Sequence, residues 1–503
     1  MQYIDSVLNK VTMYRLVLYG LLVLCGYALI LSSWGLLSFS LTSLVTSFIL
    51  ITVTCYASNI LFAKVFRAIT NFESFAITSL IIFLVLQPIP SIANAPIVIV
   101  VCLLAMLSKY LFAIRAKHIF NPAAIAFVIV GLLGSPIVYW WVGSAAMLPA
   151  VCIVGFLIVR KVRRFQMVGA FLLTSLLLII GRDVTNGSSF IESFFNAFNS
   201  WPIIFFATVM LTEPLTTPPQ HKLRLVYAGG IGILFSSQFH IGPVFSTPEL
   251  ALVLGNIFSY AVSSKTKLFL HLDKKNELAP HVYEFRFTSG EPLRFKPGQY
   301  LEWTLPDKAP DSRGNRRYFT IASSPTEKEL ALGIRFSEQG STFKNILSDM
   351  HQQTIVAGQL AGDFTLTEDK KQKLVFIAGG IGVTPFRSMI KYLVDMKEKR
   401  DIILLYANRS VEHIVYKDLF DQAKKEIGLQ THYIATDKEH VPTSWNGEVG
   451  RIDETMLKRL VPDYSVRTFY LSGPNAMVSG YKQLLHDLGI PTKHIVTDYF
   501  PGF

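Results

Sequence analysis

Charged residues are distributed very unevenly along this chain, and that feature constrains its fold more than any other. The first 267 residues contain 16 Lys and Arg but only 6 Asp and Glu, whereas the remaining 236 contain 31 and 29. Long apolar runs fill the charge-poor part, which is not typical of a water-soluble domain. The sequence therefore predicts a membrane-embedded half followed by a soluble half. The formal net charge of +12 lies mostly in the first half, so it does not indicate a nucleic-acid partner.

The first half contains ten apolar segments that approach the roughly 20 residues that a membrane helix needs. Lys and Arg cluster at alternate ends of these segments, and Arg182 is the exception. Because cytoplasmic loops are enriched in Lys and Arg, this alternation predicts a polytopic all-α domain in a cell membrane, expected to be a bacterial inner membrane, with both chain ends cytoplasmic. The first segment lacks a small-residue cleavage site, so we expect a span rather than a signal peptide. The segments lie near residues 14–33, 38–62, 73–88, 92–113, 119–134, 138–160, 165–181, 190–212, 222–237 and 247–263.

Cysteines and histidines limit the redox centres that the chain can hold. All four cysteines lie in apolar runs of the first half, and no Cys-x-x-Cys pair occurs. A cysteine-ligated zinc or iron–sulfur site is therefore excluded in the soluble half, and no metal site is predicted. The histidines of the membrane half, His118, His221 and His240, lie near predicted helix ends, which argues against a haem held between two helices.

Two stretches of the membrane half place proline beside polar side chains at or near membrane depth. They are Phe120–Ala124, which opens the fifth segment, and Thr212–Pro219, which closes the eighth. Irregular backbone at that depth is tolerated where it is buried in protein or lines a cavity. Each stretch is therefore expected to be buried in protein or to line a cavity, and the alternative is a helix cap followed by a stiff loop.

These two stretches resemble motifs of the D-type membrane subunit of the Rnf electron-transport complex and of the related B-type membrane subunit of the sodium-translocating NADH:quinone reductase. The resemblance covers most of residues 70–263. It implies a domain that holds flavin and carries electrons across the membrane. That family attaches FMN to the Thr of a Ser-Gly-Ala-Thr motif, which is absent here. The resemblance therefore implies a non-covalent second flavin, or none, and it makes Asn121 and Thr212 the candidate contacts for such a flavin.

The second half has a different periodicity. From about residue 266 apolar and polar residues alternate, as in an antiparallel sheet, and from about residue 371 a strand, a glycine-rich turn and a helix recur. The sequence thus predicts three domains. They are a transmembrane domain over 1–265, an antiparallel β-barrel over 266–370 and an α/β nucleotide-binding domain over 371–503.

Four motifs are prominent in this half, and the first three have residue types suited to phosphate groups. An Arg on a strand can bind a pyrophosphate with two hydrogen bonds, and hydroxyls at a helix start favour a phosphate. Glycines between a strand and a helix allow the backbone to approach a dinucleotide. Taken singly, each motif is also found as an ordinary strand, helix cap or turn. The motifs are Arg317-Tyr318-Phe319-Thr320, Gly340-Ser341-Thr342, Gly379-Gly380-Ile381-Gly382-Val383-Thr384-Pro385 and Ser472-Gly473-Pro474-Asn475-Ala476-Met477.

Taken in this order, the motifs resemble the ferredoxin–NADP reductase superfamily over residues 268–503. The resemblance implies an NAD(P)H-dependent FAD oxidoreductase, with FAD contacts from the first two motifs and nucleotide contacts from the last two. It implies catalytic roles for Thr384 and Ser472 beside the nicotinamide, and for Phe500 over the flavin, with Tyr499 and Phe503 as alternatives. The chain departs from the family at Phe319, where a Tyr is usual, and at Ser472, where a Cys is usual.

The choice between NADH and NADPH depends on the segment Asn408-Arg409-Ser410. Relatives with this pattern resemble NADH users. Arg409 and Lys417 could instead receive the 2′-phosphate of NADPH. NADH is the predicted donor, and NADPH is the alternative.

Together the two halves predict a membrane-bound flavoprotein that passes electrons from NAD(P)H through FAD to the membrane domain. Because the soluble half lacks cysteine, the next carrier is a membrane flavin, a quinone or an external acceptor. The competing hypothesis is a transporter or channel that a cytoplasmic flavin reductase domain regulates, for which proline-broken helices are typical. A third hypothesis is a flavin reductase that the helices merely anchor.

Overall fold

The computed structural model describes residues 4, 7–8, 11–66, 72–114, 117–135, 137–242, 244–263, 267–290, 292–305, 316–336, 342–350, 354–439 and 441–498. The chain divides into two compact units, Met1–Ser263 and Ser264–Phe500. The first unit is helical apart from two short hairpins, and the second contains two six-stranded sheets.

Helices occur in all ten apolar segments of the first unit. Three of them, α1, α2 and α7, are long and apolar enough to cross a membrane, judged by length and composition. The other helices that the structure describes in this unit are shorter. The helices are α1 (Met13–Ser33), α2 (Leu41–Val65), α3 (Phe72–Val85), α4 (Ala95–Leu111), α5 (Pro122–Leu132), α6 (Leu148–Val162), α7 (Phe165–Thr185), α8 (Phe190–Asn199), α9 (Ile203–Phe205), α10 (His221–Ser236) and α11 (Pro248–Val262).

Local sequence explains where several of these helices begin. The hydroxyls of Thr12, Ser40 and Thr247 each accept a hydrogen bond from a backbone N–H in the first turn of the following helix.

A glycine allows one close approach between elements of the helical unit. A Cβ atom on Gly155 of α6 would lie 2.4 Å from the Thr208 hydroxyl oxygen. Small residues at such contacts are typical of helices that pack in a membrane.

The eighth apolar segment differs from its prediction. One continuous helix over 190–212 was expected, but α8 ends at Asn199 and the chain restarts at Ile203. Pro202 lies in the break, where it lacks a backbone N–H and disfavours helical backbone in the preceding residue. The restarted helix continues as a π-helical turn over Phe206–Met210. The prediction of a single helix is therefore wrong at residues 200–202.

The second unit begins with an antiparallel sheet, as the alternating sequence predicts. Trp303, Phe285 and Phe287 are fully buried in its core. Strand order is β4-β3-β6-β1-β2-β5, and one short helix, α12, precedes the last strand. The elements are β1 (Lys267–Ala279), β2 (Val282–Ser289), β3 (Tyr300–Thr304), β4 (Arg316–Thr320), β5 (Leu330–Arg335), α12 (Thr342–Ser348) and β6 (Thr354–Ala361).

The rest of this unit is a parallel sheet with helices, which confirms the predicted α/β arrangement. Strand order is β10-β9-β8-β7-β11-β12, so the chain reverses its direction of travel across the sheet between β7 and β11. Ligands of open α/β sheets bind beyond the carboxyl ends of the strands at such a point. The elements are β7 (Leu374–Gly379), α13 (Thr384–Asp395), β8 (Ile402–Asn408), α14 (Lys417–Ile427), β9 (Gln430–Ala435), β10 (Glu448–Val449), α15 (Glu454–Leu460), β11 (Thr468–Ser472), α16 (Asn475–Asp487) and β12 (Ile495–Thr497).

Candidate functional site

Two of the predicted motifs are in contact at the carboxyl edge of the parallel sheet. Ala378 of β7 lies opposite Ser472 of β11, so the loops that follow both strands meet. A Cβ atom on Gly382 would lie 2.6 Å from the Ser472 carbonyl oxygen and from the Gly473 Cα. A Cβ atom on Gly379 would lie 2.2 Å from the Met477 sulfur. A side chain at Gly382 would clash with backbone, and one at Gly379 would displace the Met477 side chain, so both loops present bare backbone at the edge where a dinucleotide is expected.

Gly380 and Pro474 complete this pair of loops. Gly380 has a φ of +55°, a left-handed conformation that glycine adopts without strain. Pro474 directly precedes α16 and lies close to Gly379. The Met477 side chain packs against Gly379 and Gly473. The structure thus assigns Met477 to support of the backbone at this edge.

Asn408, the first residue of the segment expected to distinguish NADH from NADPH, also lies at this edge. It ends β8, is 3% exposed, and its side-chain oxygen lies 4.0 Å from where a Cβ atom on Gly380 would be. Within the described residues neither amide atom makes a hydrogen bond of ordinary geometry. Leaving such a buried group unpaired costs free energy, so Asn408 is suited to pair with a polar atom of a ligand.

Thr384 and Pro385 open α13 directly after the glycine loop. The Thr384 hydroxyl donates to the Ile381 carbonyl oxygen at 3.2 Å, and Pro385 occupies the first turn, where its missing N–H is tolerated. The antiparallel sheet comes very close here. A Cβ atom on Gly333 of β5 would lie 2.7 Å from the Thr384 methyl carbon. Thr384 therefore lies where the two sheets of this unit meet.

The Arg-x-Phe-Thr motif lies on β4 of the antiparallel sheet. Arg317 is 5% exposed, and its guanidinium carbon is 5.3 Å from the centre of the Phe343 ring, in the first turn of α12. The Phe319 ring lies 5.7 Å from the same ring, and Thr320 is buried at the end of the strand. The motif and the start of α12 are thus adjacent, as a shared FAD-phosphate site requires. Gly340 and Ser341 lie outside the described residues.

Tyr318 and Thr342 are the remaining predicted FAD contacts that the structure describes. The Tyr318 hydroxyl donates to the Glu302 carboxylate at 2.9 Å, on the same sheet. Thr342 is the first residue of α12. Both therefore lie on the elements that carry Arg317 and Phe343.

Ser472 has a partner that the sequence analysis did not identify. Its hydroxyl donates to the carboxylate of Asp498 at 3.1 Å, and the Asp498 N–H donates to the Leu471 carbonyl oxygen at 2.9 Å. Asp498 follows β12, which pairs with β11. The proposed aromatic cover, Phe500, and its alternatives Tyr499 and Phe503 lie outside the described residues.

A second acidic residue lies beside the predicted donor-selecting segment. The Arg409 guanidinium is 3.6 Å from the Asp437 carboxylate, and the Asp437 N–H donates to the Arg409 carbonyl oxygen at 3.0 Å. Asp437 comes shortly after β9, the strand next to β8. The Lys417 ammonium instead lies 5.5 Å from the centre of the Tyr433 ring. Asp437 is distant from Arg409 in sequence, and the pairing of β8 with β9 brings the two residues together.

In the helical unit the two proline-containing stretches are in contact. The Asn121 side-chain nitrogen donates to Glu213 at 3.0 Å, and its oxygen accepts from the Ala124 N–H and so caps α5. The Asn121 backbone N–H donates to the fully buried Asn256 side chain at 2.8 Å. The Thr212 hydroxyl is fully buried and donates to the Thr208 carbonyl oxygen at 2.7 Å. Asn121 thus joins both stretches, while Thr212 bonds within its own helix.

The structure contains no cluster of metal-ligating side chains in the parts of the chain that it describes. No group of three His, Cys, Asp or Glu residues there has an arrangement that could hold a metal ion. All four cysteines are free thiols in the helical unit.

Comparison with known proteins matches the second unit. Residues 376–483 match the oxidoreductase NAD-binding domain family. The chain is 25% identical over 228 residues to the glycine betaine monooxygenase reductase subunit of Chromohalobacter salexigens, covering 44% of this chain and 60% of that protein. It is 27% identical over 220 residues to the flavohemoprotein of Halalkalibacterium halodurans, covering 41% of this chain and 52% of that protein. A crystal structure of Amycolatopsis cytochrome P450 reductase GcoB aligns with a TM-score of 0.42 and 22% identity, over 47% of this chain and 70% of that one.

The family match and the two curated relatives define the class of the C-terminal half. It is a ferredoxin reductase-type FAD/NAD-binding domain. Its activity is that of an NAD(P)H:FAD oxidoreductase domain, which confirms the predicted enzyme class. The chain spans about three fifths or less of the length of these two curated relatives. The resemblance of residues 70–263 to the Rnf membrane subunit stays a prediction.

Proposed function

We propose that this chain is a membrane-bound flavoprotein oxidoreductase that passes electrons from NADH through FAD to its helical half or to a membrane-associated acceptor. The observation that supports this proposal most directly is the contact between the Gly379–Gly382 loop and the Ser472–Gly473 loop. Two bare backbone segments at the carboxyl edge of a parallel sheet, beside the buried Asn408 amide, suit a dinucleotide.

Residues of the antiparallel sheet fit FAD. Arg317 supplies a permanent charge for the pyrophosphate, and the start of α12, with Gly340, Ser341 and Thr342, supplies backbone N–H and hydroxyl donors. Phe319 offers an apolar face for the flavin, Tyr318 extends the same strand, and Thr320 offers a hydroxyl. A bound FAD supplies the atom that accepts a hydride, two electrons with one hydrogen nucleus, from C4 of NADH, which leaves as NAD⁺.

Residues of the parallel sheet position the nicotinamide for this transfer. Thr384 lies where the two sheets meet, Pro385 follows it in α13, and Ser472 ends β11 at the carboxyl edge of the parallel sheet. The dinucleotide phosphates lie against Gly379, Gly380, Gly382, Gly473 and Pro474, with Met477 supporting the loop. Asp498 holds the Ser472 hydroxyl in one orientation. The family resemblance assigns the cover of the flavin face to Phe500, which lies outside the described residues.

Asp437 favours NADH over NADPH. Its carboxylate lies beside Arg409, the residue that could otherwise bind a 2′-phosphate. Arg409 is 81% exposed, so the ion pair itself adds little stability. A carboxylate at this place repels a phosphate and can accept a hydrogen bond from the ribose 2′-hydroxyl of NADH.

The helical unit fits a lipid bilayer as its partner. Its three longest helices carry large apolar side chains that are exposed, among them Val23 of α1, Val53 of α2 and Leu177 of α7. Exposed apolar surface on this scale indicates contact with lipid. We propose ten membrane-crossing segments with both chain ends in the cytoplasm, and domains over 1–265, 266–370 and 371–503.

The acceptor is proposed to be in or near the helical unit. A non-covalent second flavin beside Asn121 and Thr212 is one acceptor, and a quinone or an external acceptor is the other. Extraction of the full-length protein after denaturation, followed by flavin quantification, separates these cases. Two flavins per chain support a membrane flavin, whereas FAD alone indicates a quinone or an external acceptor.

A second candidate function is regulation of transport by the reductase domain. The interrupted helix at 200–202 and the π-helical turn beside it favour this candidate, since transporters build substrate sites from broken helices. The full-length protein in sealed vesicles distinguishes the two functions. Sustained NADH oxidation with an added quinone supports the electron-transfer proposal, and substrate flux without sustained NADH turnover supports regulation.

A further inference from the structure

A buried ion pair joins the two sheets of the C-terminal unit next to the proposed site. Both terminal nitrogens of Arg387 contact the Glu327 carboxylate, one of them at 2.9 Å. Arg387 is 5% exposed and lies in the first turn of α13, three residues after Thr384. Glu327 belongs to the segment that follows β4, seven residues after Thr320. This ion pair therefore connects the helix that carries Thr384 to the segment that follows Thr320 in the chain.

Further hydrogen bonds fix the same contact. Arg387 also donates to the Ala322 carbonyl oxygen at 3.2 Å, and the Ser388 hydroxyl donates to the Ser323 carbonyl oxygen at 2.6 Å. Glu327 in turn accepts from the Ser324 N–H at 2.6 Å. The segment Ala322–Glu327 is therefore bound to α13 through both side chains and backbone. We call this set of contacts the sheet clamp.

A network of charged side chains surrounds the sheet clamp. Arg286 of β2 lies 2.7 Å from Glu284, 3.9 Å from Glu327 and 3.3 Å from Glu329. Glu284 is 2% exposed, and the Arg387 guanidinium carbon is 5.7 Å from the centre of the Tyr416 ring. Removing one partner of a buried pair leaves the other charge uncompensated, so the remaining groups must shift.

We propose that Arg387 and Glu327 are positioning residues that set the separation between the nicotinamide and the flavin ring. This inference rests on the proposed function, because it assumes that Thr320 lies by the flavin and Thr384 by the nicotinamide. The two hydrogen bonds from Arg387 to Glu327 fix Thr384 and Thr320 relative to each other, because each of these lies only a few residues along the chain from one member of the pair. Hydride transfer requires the reacting atoms within about 3.5 Å, and a misplacement of about 1 Å costs up to about a hundredfold in rate.

The test measures flavin reduction in the full-length protein in detergent. Anaerobic stopped-flow mixing with NADH gives the limiting rate of reduction, the Kd for NADH and the strength of the nicotinamide–flavin charge-transfer absorbance. We expect Glu327→Gln to lower the limiting rate by about tenfold or more and to weaken the charge-transfer band, with Kd changed less than about threefold. A purely structural role would leave the limiting rate of the folded, FAD-loaded fraction unchanged.

A matched control is the ion pair around Arg467, which lies at the amino edge of the parallel sheet, opposite the edge that carries the proposed site. Arg467 is 4% exposed and pairs with Asp463 at 2.6 Å and with Asp401 at 2.8 Å, at the amino end of β11. We expect Asp463→Asn to lower the thermal stability while leaving the limiting rate within about twofold of wild type, because this pair is remote from the site. Equal rates in Glu327→Gln and Asp463→Asn would overturn the proposal.

Two further outcomes keep the inference separate from the proposed function. If NADH does not reduce the wild-type flavin, the proposed function fails before the variants are compared. If Glu327→Gln does not retain FAD, Arg387→Lys replaces it, because lysine keeps the charge but lacks the planar fork. Arg387→Lys is expected to reduce the flavin about tenfold more slowly than wild type, and a wild-type rate would contradict the positioning role.

Discussion

The Ser472 hydroxyl donates a hydrogen bond to the carboxylate of Asp498, with the two oxygens 3.1 Å apart. The two residues are distant in sequence, and the pairing of β11 with β12 brings them together. A bond to a charged acceptor is stronger than one between neutral groups, so it holds the hydroxyl in one orientation. Because the hydroxyl proton points at Asp498, the Ser472 oxygen is left with a lone pair that can accept a hydrogen bond from a nicotinamide.

Replacing Ser472 with Ala tests this arrangement. We expect the limiting rate of flavin reduction by NADH to fall by about tenfold, which corresponds to the loss of about 1.4 kcal/mol from one hydrogen bond to a charged group. FAD content should remain that of wild type, because the proposed FAD site lies on the other sheet. Asp498→Asn keeps an acceptor and should have a smaller effect, so a larger loss in Asp498→Asn would contradict this role for the pair.

Donor preference is expected to depend on Asp437. Its replacement by Ser removes the charge that repels a 2′-phosphate and leaves Arg409 available to bind it. We expect kcat/KM for NADPH to rise by about tenfold and that for NADH to fall, measured by steady-state oxidation with an artificial acceptor. Asp421→Asn, an exposed acidic residue of α14, serves as the control and should leave the ratio unchanged. An unaltered NADPH rate in Asp437→Ser would remove this residue from the donor site.

The contact between the two loops should not tolerate a side chain at Gly382. Its Cβ atom would lie 2.6 Å from backbone atoms of both Ser472 and Gly473, so one loop must move. We expect Gly382→Ala to weaken NADH binding at least about tenfold while FAD is retained. Gly480 in α16 is the matched control, because no atom lies within 4 Å of where its Cβ atom would be and alanine favours a helix by up to about 1 kcal/mol. Equal NADH affinity in the two variants would contradict the packing of the loops.

The contribution of Glu327 to stability should depend on pH. Burial by itself raises the pKa of the Glu327 carboxyl, but hydrogen bonds and charge from Arg387, with a smaller effect of Arg286, hold that pKa below its usual range. Because the folded-state pKa is the lower one, the stabilisation is present above the unfolded pKa of about 4.3 and is lost as pH falls through the folded value.

Thermal unfolding of wild type and Glu327→Gln across pH checks this sign. The melting temperature of wild type should exceed that of the variant from neutral pH down to about pH 5, and the two should converge at lower pH. A difference that grows as pH falls would show that the carboxylate is not held in its charged form by Arg387.

The sequence was sufficient to locate the motifs, since each is a run of neighbouring residues. Gly379–Pro385 spans the end of β7 and the start of α13, as expected, and the order of an antiparallel and a parallel sheet follows from periodicity. Asp437 and Asp498 could not be selected in this way, because the pairing of strands brings them to Arg409 and Ser472. The Arg387–Glu327 pair was hidden for the same reason, since it joins two sheets.

The helical unit shows a different limit of sequence reasoning. Hydropathy located the helices, because apolar runs are visible in any window of the sequence. It also merged α8 with α9, since Trp201 and Pro202 lie within an apolar stretch and only the backbone chemistry of proline separates the two helices. The contact of Asn121 with Glu213 depends on how the helices pack, which hydropathy does not determine.

The central claim is that NADH bound at the edge of the parallel sheet reduces a flavin held on the antiparallel sheet. Anaerobic titration of the detergent-purified, full-length protein with NADH tests it most directly. The account predicts that extraction yields FAD, and that NADH bleaches the yellow flavin absorbance with about one NADH consumed per FAD, since one hydride carries both electrons. A bound flavin that keeps its absorbance in excess NADH, or a protein that holds no FAD, would contradict it.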